Sequence, residues 1–295
     1  MQVTVGTKHA LHLALGAVAG HGDEVLVLRP SWPGHAGAVE SVGASVVEVP
    51  VERDGLVNPD VLEQVGTAHT GAIVIANPSN PSGVLHPPAL IADIADWCRR
   101  NGIWLISDEV YGGLVYDSNL SATEVVTDST RLIVVDRVSK VHAMTGWRVG
   151  WLIGLSAVVD AARRQVSATI THVPALTQRG ALAALEVPAS ADTLAGYRAA
   201  RDLLVDRLQS VPGIVCPTPA GGMFAFPDVS RLLGDGRAAT AAELAAQLLD
   251  QAHVAVVPGE VFAAEGHLRI SFAVGHDRLA QAADRLVIAL TDGST

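Results

Sequence analysis

The chain has 295 residues, of which 49% are hydrophobic and 17% charged, enough for a substantial core and far from a disordered composition. Its formal net charge of −10 is spread along the chain, which argues against nucleic acid as the main partner and fits a cytoplasmic protein. Two distant cysteines, Cys98 and Cys216, form neither a disulfide framework nor a zinc pattern, no histidine falls in a metal motif, and no segment is long enough to span a bilayer.

Residues 3–6 read as a strand-like start with no signal peptide before them. Gly6-Thr7-Lys8 then opens a helix with Leu11, Leu15 and Val18 on one face. A Gly-Thr turn feeding a helix N-terminus is a ready anion site, because unpaired N–H groups and the helix dipole converge there. His9 and His12 share a face of that helix without a third ligand nearby, so no metal is expected. Alternating units follow. Strands are expected at 25–28, 45–49, 72–76, 103–107 and 132–135, with helices near Val39 and over 90–100. The loop after the first of these holds Trp32, and the loop after the third reads Asn77-Pro78-Ser79-Asn80-Pro81-Ser82-Gly83. Apolar strands alternating with helices predict an α/β fold with a mainly parallel sheet covered on both faces. In such sheets ligands gather at the carboxyl ends of the strands. Trp32, Asn80, Asp108 and Lys140 all follow shortly after strand segments.

From about Ser156 the pattern turns helical, over 158–169, 176–185 and 194–211. Strands at 214–215, 221–226, 254–257 and 268–272 then alternate with helices at 241–251 and 277–290. The expected organisation is a large domain, 1–186, and a smaller C-terminal α+β domain, 187–295.

The stretch Arg137-Val138-Ser139-Lys140 through Met144-Thr145-Gly146-Trp147-Arg148-Val149-Gly150 lies between two apolar strands. An ammonium at the mouth of a strand is costly to desolvate, its pKa tends to fall, and it then becomes a nucleophile for carbonyl groups. Arg148, eight residues on, sits in a glycine-flanked turn and suits an anion. A surface lysine and a structural arginine would read the same on spacing alone.

Four segments, Asn77 to Gly83, Ser107-Asp108-Glu109-Val110-Tyr111, Ser139-Lys140 through Gly150, and Leu268-Arg269-Ile270-Ser271-Phe272, occur in the order and approximate spacing of the fold-type I pyridoxal-phosphate aminotransferases of class I/II. The resemblance runs over nearly the whole chain. It implies a mainly parallel seven-stranded sheet sandwiched by helices, pyridoxal 5′-phosphate as cofactor, and transfer of an amino group between an α-amino acid and a 2-oxo acid. Lys140 resembles the lysine that forms the Schiff base and carries the proton. Asp108 resembles the acid that pairs with the pyridine nitrogen. Tyr111 and Asn80 match the residues that hydrogen-bond the ring oxygen, and Trp32 the aromatic that stacks on the ring. Gly6, Thr7, Lys8 and Arg148 match the phosphate site. Arg269, with Asn80, matches the grip on the substrate carboxylate. Taken singly, Asp108 also fits a turn cap, Tyr111 and Trp32 core aromatics, and Arg269 one half of an ion pair. Elimination, cyclisation, decarboxylation or oxidation on the same cofactor, and cofactor binding without turnover, remain as alternatives.

Two features depart from the pattern. The family carries several tens of residues ahead of the Gly-Thr turn, whereas Met1 stands almost on it here; apolar surface near Leu11, Leu15 and the small domain is therefore expected to be exposed and covered in a homodimer or larger assembly. The second is Arg137, three residues before Lys140, where many relatives carry a serine or threonine touching the phosphate. An extra cation there either strengthens phosphate binding or points to solvent.

Overall fold

Short Val- and Ile-rich runs with little charge make strands that are buried on both faces, and helices between them supply the cover. The computed structural model describes residues 1–118, 120–187, 190–234 and 238–292; residues 119, 188–189, 235–237 and 293–295, the last of which end the expected C-terminal domain, lie outside that description. The elements run β1 (Gln2–Thr4), α1 (Gly6–Val18), β2 (Glu24–Arg29), α2 (Gly34–Glu40), β3 (Ser45–Pro50), α3 (Pro59–Val65), β4 (Thr70–Ala76), α4 (Pro88–Asn101) and β5 (Trp104–Asp108). Then come α5 (Ala122–Val125), β6 (Leu132–Arg137), β7 (Gly150–Ile153), α6 (Ser156–Thr169), α7 (Ala175–Leu185) and α8 (Ala191–Gln209). The chain ends with β8 (Phe224–Ala225), α9 (Ala241–Ala252), β9 (Val257–Pro258), β10 (Leu268–Ser271) and α10 (His276–Asp292).

Seven strands form one sheet in the order β1-β7-β6-β5-β4-β2-β3. β3, β2, β4, β5 and β6 are parallel, while β7 runs antiparallel to both β6 and β1. Alternate residues of each strand enter different cores. Val25, Val74, Ile106 and Val135 pack with Leu11 and Leu15 of α1 and Val159 of α6. Leu26, Ile75, Leu105 and Val134 pack with Ile94 and Trp97 of α4 on the other face. The α/β architecture expected from the sequence is therefore the one found.

Leu11 and Leu15 are fully buried within this chain, contrary to the expectation that they would be exposed. Helix α6 folds back onto α1 and, with α2 and the sheet, closes that face. Burial of each leucine stabilises by about 1.5–3 kcal/mol. Exposed apolar side chains gather instead on α7 and beside it: Leu176, Leu182, Leu185 and Val187, with Trp147 against Gly180.

The second sheet has three strands in the order β8-β10-β9, all antiparallel, and packs in a core with α8, α9 and α10. Its strands are shorter than the apolar runs suggest. Gly222, at φ +79°, turns the chain, so pairing begins only at Phe224. His253, at φ +55°, ends α9 in a left-handed cap, and β9 starts later than expected. The run at 214–215 makes a single bridge, Val215 to Asp228. Helix α3, absent from the sequence reading, is set by Asn58, whose side chain accepts from the Asp60 N–H, followed by Pro59 in the first turn.

His86 is buried between β4 and α4, and both its ring nitrogens lack a partner. Burial lowers its pKa from 6.5 to about 4, with Asp54 pulling weakly the other way. A neutral buried histidine stabilises above pH 6.5 and loses that contribution as pH falls through about 4, a swing of roughly 3 kcal/mol. Asp136 opposes it: burial raises its carboxyl to about 7, so its contribution is present at low pH and lost as pH rises through about 7. Whole-protein stability is thus a poor readout, and the difference between variants is the informative one. His86→Leu is expected to gain roughly 3 kcal/mol on the native protein between pH 6.5 and 4, measured from urea midpoints; a gap that does not change with pH would refute this account.

Candidate active site

Three adjacent parallel strands end at the same level. Ala76 at the end of β4 pairs with Asp108 at the end of β5, and Asp108 with Val135 of β6. β6 runs two residues further to Arg137, and the chain turns through Val138 and Ser139 to Lys140. From other directions α1 brings Thr7, the segment between β2 and α2 brings Trp32, β8 brings Phe224 and β10 brings Arg269. Together these enclose a cleft of about 260 Å³.

Asp108 is 2% exposed, and its carboxylate is fixed from two sides. Nε2 of His35 lies 3.1 Å from Oδ2, and the Val110 N–H donates to Oδ1 at 3.2 Å. His35 is itself buried in α2 and set edge-on to Trp32, with ring centres 5.5 Å apart. The carboxylate is thus available to a cationic or N–H partner in the cleft, with no rotation open to it.

Lys140 Nζ stands 5.7 Å from the centre of the Tyr111 ring. Burial lowers the lysine pKa below its usual 10.5, and the guanidiniums of Arg137 and Arg269 lower it further. Burial pushes the Tyr111 phenol up to about 12, against the pull of Arg137. Arg269 donates to Asn80 Oδ1 at 3.0 Å, and its guanidinium lies over the rings of Phe224 and Phe262, 4.2 and 4.6 Å from their centres. The Asn80–Pro81 peptide is cis.

At the opposite end, α1 begins with no side-chain cap and no acidic residue in its first turn. Gly6 takes φ +73°, a conformation that favours glycine, and the Arg148 guanidinium fills the space beside its Cα. Arg148 reaches over this turn, donating to the carbonyls of Thr145 (3.0 Å) and Val5 (3.5 Å). Thr7 Oγ1, Ser139 Oγ and Arg137 Nε are all buried without a hydrogen-bond partner in the protein. Buried polar groups normally have partners. Three orphaned donors near an uncapped helix start suit a multiply charged anion such as a phosphate ester, and a fixed carboxylate beside a desolvated amine suits a pyridine ring carrying an aldehyde.

Of the residues picked out from sequence, Thr7, Trp32, Asn80, Asp108, Tyr111, Lys140 and Arg269 line this one cleft. Gly6, Lys8 and Arg148 stay outside its lining: Gly6 and Arg148 stack behind Thr7, and Lys8 lays its ammonium 5.3 Å from the Trp32 ring centre. Sequence reasoning missed His35 and Phe224 as site residues. His35 lies three positions after Trp32, one helical turn, and that spacing is the only trace it leaves. His142 is half-buried and does not line the cleft. Glu109, next to Asp108, is tied away from it by Ser107 Oγ at 3.0 Å and the Ala122 N–H at 2.8 Å.

A family model described as Aminotransferase class I and II matches residues 1–286. The aspartate aminotransferase of Streptomyces avermitilis is 36% identical over 98% of this chain and 74% of that one. A probable aspartate/prephenate aminotransferase of Thermus aquaticus is also 36% identical, over 98% of this chain and 75% of its own length. The crystal structure of an aromatic aminotransferase from Pyrococcus horikoshii superposes with a TM-score of 0.92 at 31% identity, covering 98% of this chain and 79% of that one. With identities of this order over nearly its whole length, the chain belongs to the pyridoxal-phosphate-dependent aminotransferases of class I and II, which move an amino group between an amino acid and a 2-oxo acid.

Proposed function

We propose that Lys140 is the catalytic amine of this aminotransferase, that Asp108 holds the pyridine nitrogen, and that Arg269 takes the α-carboxylate of the amino acid and of the 2-oxo acid. The observation that carries the reading is the joint placement of a desolvated lysine, a fixed buried carboxylate and a ring-clamped arginine around one cleft. Bound pyridoxal phosphate supplies an aldehyde and a protonated ring that draws electrons from the substrate α-carbon. Lys140 would hold the cofactor through its amine and, when that amine is free, would take up the proton of the substrate α-carbon as a general base. Its lowered pKa keeps a larger share of the amine neutral than an exposed lysine would have. His35 holds Asp108 in one rotamer, and Tyr111 and Asn80 offer hydrogen bonds to the ring oxygen. Trp32 would cover a ring face, and Gly6, Thr7, Lys8 and Arg148 would hold the phosphate.

The chain divides in this reading into a cofactor-binding large domain, 1–186, and a small domain, 187–295, the second carrying Arg269. The apolar side chains exposed on α7 support a homodimer as the working unit. Two buried, unpaired thiols fit a cytoplasmic setting. Among the described residues no helix is long and apolar enough to cross a membrane.

Borohydride treatment of the yellow protein, followed by peptide mass analysis, is expected to place the reduced cofactor on Lys140. Lys140→Ala should abolish the Schiff-base absorbance and lower kcat by roughly 100- to 10,000-fold; colour and turnover that survive the change would overturn the assignment. Asp108→Asn is expected to lower kcat by on the order of 100-fold with little change in KM, read from steady-state kinetics with one amino donor. In the protein freed of cofactor, carbamylation of Lys140 by cyanate should rise with pH around a midpoint below 10.5, since only the neutral amine reacts. A midpoint at or above 10.5 would remove the electrostatic basis proposed for this lysine.

A further inference from the structure

Arg137 is the last residue of β6 and stands opposite Gly150 in the ladder with β7. A Cβ on Gly150 would meet the Gly6 carbonyl carbon at 2.9 Å, so this rung packs directly against the start of α1. The Arg137 side chain lines the cleft, and its Nε is buried without a partner. Among the described residues no carboxylate forms an ion pair with it. An Nε–H buried with nothing to bond is costly unless a ligand supplies the acceptor. Thr7 and Ser139, 2% and 1% exposed, point to the same demand, because each holds a buried hydroxyl with nothing to bond.

The two cations of the cleft besides Lys140 are at different ends. Arg269 is committed to Asn80 and to the two phenyl rings. Arg137 instead stands on the rung that packs against Gly6 at the start of α1. One end therefore seats a planar carboxylate, and the other, with two hydroxyls and the first turn of α1, a tetrahedral anion.

We propose that Arg137 is a binding residue for the cofactor phosphate, gripping it together with Thr7 Oγ1 and Ser139 Oγ, with Arg148 closing the rim from outside the cleft. This rests on the reading of the cleft as the cofactor site and adds to it two groups, Arg137 and Ser139, placed on the phosphate. The competing use of the same charge is the distal carboxylate of a dicarboxylic substrate. The paired hydroxyls favour the phosphate, since a side-chain carboxylate would leave the helix start unused.

The test uses the intact chain, freed of cofactor, as wild type, Arg137→Gln and Arg137→Lys. Arg137→Gln is expected to weaken pyridoxal phosphate binding, followed by absorbance titration, by roughly 10- to 100-fold. Binding of pyridoxal, which lacks the phosphate, should be unchanged, and Arg137→Lys should recover part of the loss. Inorganic phosphate alone should raise the Tm of the wild type and not that of Arg137→Gln. Equal losses for pyridoxal and its phosphate would overturn the proposal, as would unchanged pyridoxal phosphate affinity with a raised KM for dicarboxylic but not monocarboxylic donors. The inorganic-phosphate arm reads Arg137 even if no Schiff base forms at Lys140, so failure of the functional reading and failure of this inference give different results.

Discussion

Positive charge held partly out of water is the constraint from which the site follows. Lys140, Arg137 and Arg269 surround one cleft of about 260 Å³, and Asp108 is the carboxylate that lines it with them. Such an arrangement is unfavourable in isolation, because each cation loses hydration and repels the others. It persists because the scaffold around it is rigid. The same repulsion is what readies Lys140, since neighbouring cations and burial both favour its neutral form.

The fold supplies rigidity by holding the carboxyl ends of β4, β5 and β6 at one level between two apolar layers. Side chains leaving those ends cannot drift without unpacking a core, which keeps Asp108 against His35 and Val110. The reversal at β7 matters as much. It returns the chain beside β6 and next to β1, so that Arg148 lands over Gly6 at the start of α1. Residues far apart in sequence thus share one corner of the molecule.

Much of this is legible in the amino-acid sequence. Apolar runs alternating with helical patterns point to the parallel sheet, and four motifs in register point to Asp108, Tyr111, Asn80, Lys140 and Arg269. What escapes is set by partners distant in sequence. His35 looks like any helix histidine until β5 delivers Asp108, 73 residues on, to its ring. The burial of Leu11 and Leu15 depends on α6 returning across α1, which no local pattern announces. Apolar runs overstate the strand lengths in the second sheet because backbone conformation at Gly222 and His253, rather than hydrophobicity, decides where pairing starts. Arg137 is visible as a departure from the motif, but that its Nε is buried without a partner is not.

The clamp on Arg269 has a consequence for selectivity by shape. Phe224 and Phe262 both lie against the guanidinium, and Asn80 accepts one of its N–H groups. Fewer N–H groups are therefore open to a newcomer than on a free arginine. A flat carboxylate can engage two of those that remain side by side, a match that the tetrahedral oxygens of sulfonates and phosphonates make less well.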